Sequence, residues 1–232
     1  MQPSTVKSGR GTKNKRLWGF GAAILTFLIL LFLALNFWLK SQMNRTEFTA
    51  NTQKLEIVIG KDVVRVPANH VRFAHQRDSS TADQLNLVYL FPQTIGYLET
   101  QKAAFNAAEN DSTLVHITLR KRELSFDMSR RLQPIYTQLF EGASQTGPDG
   151  LVMQPLRPGT GYDGEMLAIS QNTTKQWVAR CQTQESNMRP VCIRDVFVGQ
   201  ELSALYSFPL HMLKDWRRIE NTTQEFLKSV IF

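Results

Sequence analysis

An uninterrupted apolar run near the N-terminus dominates the hydropathy pattern of the chain. It covers residues 17–39 without a charged side chain, from Leu17 to Leu39, with Trp18 and Trp38 near its ends. As a helix it would extend over roughly 34 Å, enough to cross a hydrocarbon core of about 30 Å. Indole rings favour the membrane interface, so the two tryptophans fit the ends of a span. The pattern predicts a transmembrane helix that anchors the protein in a lipid bilayer.

Basic side chains flank this run unequally. Five of them precede it without any acidic residue, at Lys7, Arg10, Lys13, Lys15 and Arg16. By the positive-inside rule, this asymmetry predicts a single-pass inner-membrane protein with a cytoplasmic N-terminus and a periplasmic C-terminal domain. A cleaved signal peptide is the alternative interpretation, but the apolar part of such a peptide usually has only about 7–15 residues.

Beyond residue 53, short apolar runs with a period of two are typical of half-buried strands. They cover residues 55–59, 63–66, 85–91, 114–119, 151–153, 165–170, 176–181, 191–198 and 202–208. Helical spacing occurs in mid-chain, at Leu132, Ile135, Tyr136, Leu139 and Phe140. It recurs after Pro209, at Leu213, Trp216, Ile219, Phe226, Leu227 and Val230.

These elements predict an α+β protein. One N-terminal transmembrane helix is followed by an exported domain with a mixed or mostly antiparallel sheet, a mid-chain helix and a C-terminal helix. The predicted organisation is a disordered basic cytoplasmic tail over residues 1–16, the membrane helix over 17–39, a stalk over 40–53 and the exported domain over 54–232. That domain has the size of a single folding unit.

The net charge of +7 belongs entirely to the N-terminal part of the chain. Residues 1–45 hold seven Lys and Arg and no acid, whereas residues 46–232 hold twenty basic and twenty acidic side chains. A nucleic-acid-binding domain carries its basic excess on the folded part. The neutral exported domain therefore predicts no nucleic-acid partner.

The chain contains two cysteines, Cys181 and Cys192. Each lies in a predicted strand, and the segment between them is polar, so the pair fits a hairpin closed by a disulfide on the oxidising side of the membrane. A redox-active pair usually has closer spacing, such as C-x-x-C. We therefore predict a structural disulfide.

The sequence contains no motif that predicts a catalytic site or a cofactor-binding site. Residues 159–164 match G-x-G-x-x-G, but Pro158 precedes them and a predicted strand follows, whereas a dinucleotide site needs a following helix. No nucleophile elbow, zinc-binding helix or phosphate-binding loop occurs. We predict no catalytic residue, metal ligand or cofactor. Four N-x-S/T sequences leave glycosylation open.

Residues 120–122, Arg-Lys-Arg, form a dense basic cluster in the exported domain. Such a cluster could bind phosphate or an acidic polymer, but a solvated strand end is the favoured interpretation because Glu123 and Asp127 lie nearby.

Residues 190–196 and 202–209, together with the predicted anchor, resemble single-pass envelope proteins of alphaproteobacteria that have no assigned activity. The resemblance implies an inner-membrane protein with a periplasmic domain, and it brings no catalytic residues. We expect an accessory or scaffold protein of a cell-envelope assembly that binds a protein or polysaccharide partner. The alternative is a small envelope enzyme, such as a carboxylate-based hydrolase of wall or surface polysaccharide. The oligomeric state and the working surface, sheet face or hairpin tip, stay open.

Overall fold

The computed structural model describes residues 25–36, 48–108, 111–172, 176–182 and 190–232. The chain divides into two units, Met1–Arg45 and Thr46–Phe232. In the first unit, residues 25–36 form a helix, α1. The second unit contains all of the strands described below.

The prediction of a transmembrane helix over residues 17–39 is not supported. Within the described ranges, no helix combines the length and the apolar character that a membrane crossing requires. The described residues of α1, 25–36, would extend over about 18 Å as a helix, against about 30 Å of hydrocarbon. The predicted anchor and topology residues lie outside the described residues: Leu17, Trp18, Trp38, Leu39, Lys7, Arg10, Lys13, Lys15 and Arg16. Their roles, the orientation and the inner-membrane location stay predictions.

Two antiparallel sheets build the second unit. The smaller sheet is a hairpin of β1 (Lys54–Ile59) and β2 (Asp62–Pro67). The larger consists of β3 (Gln84–Leu90), β4 (Leu114–Lys121), β5 (Gln145–Thr146), β6 (Leu151–Pro155), β7 (Glu165–Ser170), β8 (Val178–Gln182), β9 (Val191–Val198) and β10 (Leu202–Pro209). Its spatial order is β3-β4-β10-β9-β8-β7-β6-β5, and every neighbouring pair is antiparallel. The strand β10 thus joins a six-stranded meander to the β3–β4 pair.

The predicted fold class is wrong, because the described chain is mostly antiparallel sheet with few helices, although the predicted C-terminal helix is present. Besides α1, it has the short α2 (Lys102–Phe105) and the C-terminal α3 (Trp216–Val230). The predicted mid-chain helix is absent, and residues 128–135 form turns that are followed by a 3-10 turn at Tyr136–Leu139. Pro134 lacks a backbone N–H, and Ile135 has φ −123° and ψ −63°, outside the helical region.

One face of the large sheet packs against α3 and the β1–β2 hairpin. Alternate residues of the central strands point towards this side, as Ile117 does from β4 and Tyr206 from β10. The hairpin contributes Ile57 and α3 contributes Ile219, and all four side chains are buried. This layer is the main core of the unit, and it fixes the positions of β4, β10 and β9.

A buried polar network joins α3 to the same face of the sheet. Glu220 Oε2 accepts hydrogen bonds from Trp177 Nε1 at 2.9 Å, from Arg194 Nε at 3.0 Å and from the Tyr206 hydroxyl. Gln224 Nε2 donates to the other carboxylate oxygen at 3.2 Å. The charge of Glu220 is thus compensated by one guanidinium and several donors inside the core.

Candidate binding groove

The opposite face of the large sheet is covered in two places. At the β3 end, Tyr97 and Phe105 pack on Val88 and Leu114. Over β7 and β8, the segment that follows β4 places Met128, Leu132 and Tyr136 on Leu167 of β7 and Val178 of β8, a separate apolar cluster. A groove lies between these two covers, with β4, β10 and β9 as its floor.

Strand pairing arranges the floor of the groove in rows. His116 of β4 pairs with Ser207 of β10, which in turn pairs with Ile193 of β9. The next row along β10 is centred on Leu205, and the one beyond it places Ser203 beside Arg120. Successive positions of a strand point to opposite faces, so the side chains two apart in each strand line the groove together.

The larger compartment of the groove has a cavity volume of about 990 Å³. Its lining mixes rings and aliphatic side chains with hydroxyl and amide groups, including Thr118, Ser207 and Gln182. Arg72 and His116 also line it, and no described lining residue carries a carboxylate. Pockets that bind ligands typically measure about 300–1,000 Å³, so this compartment has the volume for part of a bound molecule.

A smaller compartment of about 160 Å³ continues from it, sharing Ile193 and Leu205 in its lining. We call it the arginine compartment, because three arginines line it: Arg120, Arg131 and Arg180. Two carboxylates line it as well, those of Glu123 and Asp195. Among the residues that the structure describes, four arginines and two carboxylates therefore line the two compartments.

Each carboxylate beside the arginine compartment lies close to a guanidinium. Asp195 accepts a hydrogen bond from Arg131 Nη2, and Glu123 Oε2 lies 3.8 Å from Arg120 Nη1. Glu165 Oε2, at the edge of β7, lies 3.5 Å from Arg180 Nε. Burial raises the pKa of the Asp195 carboxyl, and the nearby Arg131 opposes that rise only in part. Burial likewise raises the pKa of Glu165 against the effect of Arg180.

We expect Asp195 to titrate above the ordinary aspartate value of about 3.9. Since its native pKa exceeds the unfolded value, protonation as the pH falls through the native pKa favours the folded state, and this contribution is lost as the pH rises. Carboxyl ¹³C shifts recorded during a pH titration of the full-length protein measure the midpoint. The variant Arg131→Met should raise it further, because the guanidinium favours the ionised form. A wild-type midpoint at or below the ordinary value would contradict this assignment.

The two carboxylates that line the arginine compartment are each paired with an arginine. A carboxylate-based hydrolase needs one carboxyl group as the acid and a second one as base or nucleophile, whereas Asp195 and Glu123 are each within ion-pair distance of an arginine. Among the residues that the structure describes, no cluster of three or more His, Cys, Asp or Glu side chains could hold a metal ion.

The structure confirms the predicted disulfide between Cys181 and Cys192, which are directly paired residues of β8 and β9. Residues 159–164 form a connection that precedes β7, so no helix follows the glycine motif. The basic cluster divides: Arg120 lines the groove, whereas Arg122 donates to the carbonyls of Leu202 at 3.0 Å and Val198 at 3.1 Å. Arg122 thus stabilises the β9–β10 connection.

No local motif marks the residues that line the groove. One signal was available, since β4 alternates buried apolar residues with His116, Thr118 and Arg120, and β10 likewise presents Ser203 and Ser207. Two strands with a polar second face indicate a sheet whose second side is only partly covered. Their adjacency could not be derived from the sequence, because 80 or more residues separate them.

No protein-family model and no curated protein sequence matches this chain. Among solved structures, the fold is similar to that of Smlt3025, an immunity protein of the Stenotrophomonas maltophilia type IV secretion system. The two are 13% identical with a TM-score of 0.54, and the match covers 82% of this chain and 98% of Smlt3025. The iron-regulated outer membrane lipoprotein FrpD of Neisseria meningitidis is 12% identical with a TM-score of 0.42, covering 80% and 97%. Similarity to Smlt3025 at this identity concerns the fold alone.

Proposed function

We propose that this protein is an accessory component of a cell-envelope assembly and that it binds a protein partner in the groove. The observation that carries the proposal is the groove itself, about 990 Å³ of open volume on a rigid antiparallel floor. A site on strands holds its side chains in fixed positions, which favours recognition of a defined partner. The similarity in fold to a secretion-system immunity protein supports a partner-binding role.

The proposal places the domain on the oxidising side of the envelope. Disulfides persist in extracytoplasmic compartments and are rare in the reducing cytosol. The bond between Cys181 and Cys192 lies at the edge of the groove, because Gln182 and Val191 next to the two cysteines are groove-lining residues. In an oxidising compartment of the cell, the disulfide is therefore already formed at the edge of the groove before a partner binds.

Site-specific photo-cross-linking tests this function. A benzoylphenylalanine placed at Ser207, in the floor of the larger compartment, should form an adduct with one recurrent protein in intact cells. The matched control carries the same probe at Lys228, an exposed position of α3, the helix that packs on the other face of the sheet. Absence of a protein adduct from Ser207, or the same adduct from both positions, would contradict the proposal. Release of sugar from wall polymers by the purified protein would instead support the hydrolase.

A further inference from the structure

We propose that the arginine compartment binds one aromatic side chain of the protein partner. This inference rests on the proposed function and names the chemistry of the partner's anchor. The compartment has a volume of about 160 Å³. A protein cavity of about 150 Å³ lined by aliphatic and aromatic side chains binds one benzene molecule. The size of the compartment therefore matches a single aromatic ring.

The floor of the compartment offers apolar surface for such a ring to cover. It is formed by Ser203 and Leu205 of β10 and by Ile193 and Phe197 of β9. The last three of these are only half-buried, although β9 and β10 both lie inside the large sheet with a strand on each side. Because removal of apolar surface from water is favourable, the floor favours an apolar occupant.

The arginines of the compartment have carboxylate partners. The pairs are Arg120 with Glu123, Arg131 with Asp195 and Arg180 with Glu165. Such pairs do not select a ligand by its net charge. A carboxylate binds the N–H groups at the edge of the planar guanidinium, so the faces of the plane stay available for other contacts. A guanidinium face attracts the electron-rich face of an aromatic ring.

Two of these arginines already make that contact within the fold. Arg180 Cζ lies 4.8 Å from the centre of the Tyr162 ring, and Arg131 Cζ lies 5.8 Å from the centre of the Tyr136 ring. The third, Arg120, is 42% exposed and lies beside Ser203 at the end of the floor, where a partner can reach it. A partner's ring on Arg120 would repeat the arrangement of the other two, whereas an aliphatic side chain would gain no cation–π attraction.

The rim of the compartment is typical of a protein interface. Leu124 lines the compartment and is 49% exposed, and Phe126, two residues further along, is 46% exposed. Anchor side chains that fill a pocket are often aromatic, and apolar contacts around them exclude water. A partner's ring in the compartment would leave Leu124 and Phe126 in this surrounding position.

Titration with two neutral amino-acid amides tests the preference for a ring. N-acetyl-tyrosinamide should shift the methyl resonances of Leu205 and Ile193 in the full-length protein and should bind about threefold or more tightly than N-acetyl-leucinamide. Arg120→Met, which keeps an unbranched side chain without the guanidinium, should bring the two affinities together. The matched control Lys228→Met removes one positive charge from α3 and should leave their ratio unchanged.

Cross-linking in cells tests the anchor on the partner itself. With the photo-reactive probe at Ser207, Leu124→Ala should lower the yield of the protein adduct by about threefold or more. The control Ile135→Ala truncates a side chain of similar exposure, 41%, on the same segment but outside the lining, and it should leave the yield unchanged. Both positions are on the surface, so both variants should fold. Mass spectrometry of the adduct should identify a partner segment with an aromatic residue.

The outcomes separate the anchor from the proposed function. Equal or tighter binding of the leucine amide, absence of methyl shifts, or an unchanged ratio in Arg120→Met overturns the aromatic anchor. A cross-linked segment without an aromatic residue overturns it as well, and so does an undiminished adduct in Leu124→Ala. The proposed function survives each of these results if Ser207 still cross-links to one recurrent protein. Absence of that adduct from the otherwise unmodified protein overturns both.

Discussion

Replacement of Glu220 with alanine is expected to lower the free energy of unfolding by about 3–5 kcal/mol. The substitution removes the carboxylate that neutralises Arg194, whose guanidinium stays buried beneath α3. It also leaves the donors of Trp177 and Tyr206 without the acceptor that they share. An uncompensated buried charge and orphaned donors each cost desolvation free energy. Urea unfolding of the full-length protein, followed by circular dichroism, measures the loss.

A control on the same helix separates this effect from the loss of a negative charge on α3. Glu225 is exposed, so Glu225→Ala should change stability by no more than about 0.5 kcal/mol. The double variant Glu220→Leu with Arg194→Met should recover much of the loss, because apolar side chains can replace a buried ion pair. If Glu220→Ala lowers the free energy of unfolding by less than about 1 kcal/mol, the network contributes little to stability.

The same network predicts how stability depends on pH. Burial alone would raise the pKa of Glu220, but Arg194 and the Tyr206 and Trp177 donors outweigh burial and leave the pKa below its ordinary value. The ionised carboxylate therefore stabilises the fold above the unfolded pKa, and this contribution is lost as the pH falls through the native pKa. The stability difference between wild type and Glu220→Ala should shrink below about pH 4.3, the ordinary glutamate value.

Strands were predictable from the sequence where one face is buried. In β4, Val115, Ile117 and Leu119 are fully buried and the residues between them are partly exposed, so the period of two follows directly from the core on one side. The disulfide was predictable for a similar reason. The two cysteines lie in neighbouring strands with a polar segment between them. The sequence of this short segment is therefore enough to predict the hairpin and its disulfide.

The mid-chain helix shows where a pattern misleads. Leu132 and Tyr136 are buried in one cluster with Met128, so their spacing correctly indicates burial. It does not determine the backbone, because an irregular segment that folds over a sheet can bury the same positions. Pro134 was the available warning, since a proline inside a helix removes a hydrogen bond and clashes with the preceding turn.

The groove could not be predicted, because it depends on long-range pairing. Its floor requires β4 to lie next to β10, and the two strands are separated by the whole β5–β9 segment. The ion pair of Arg131 with Asp195 likewise joins residues 64 positions apart. Sequence spacing carries no information about such contacts, so the arginines of the groove were indistinguishable from solvated surface charges.

Loss of the disulfide is expected to destabilise the protein by about 3 kcal/mol. By loop-closure entropy, a cross-link between residues eleven apart restricts the unfolded chain by approximately this amount. The variant with both Cys181→Ala and Cys192→Ala measures it in urea without leaving a free thiol. Dithiothreitol should lower the stability of the wild type to a similar extent and leave the variant unchanged. A variant that unfolds at the wild-type urea concentration would show that the bond contributes nothing to folding.

The same variant tests whether the cross-link supports the groove. Among the described residues of β8 and β9, Cys181 pairs with Cys192 and Arg180 pairs with Ile193. Arg180 and Ile193 both line the arginine compartment. Without the bond, the two strands can separate at this edge, and the guanidinium of Arg180 loses its fixed position. Cross-linking from Ser207 should therefore weaken in the variant without urea, where the variant is still folded. If the folded variant cross-links as well as the wild type does, the disulfide stabilises the fold but does not support the groove.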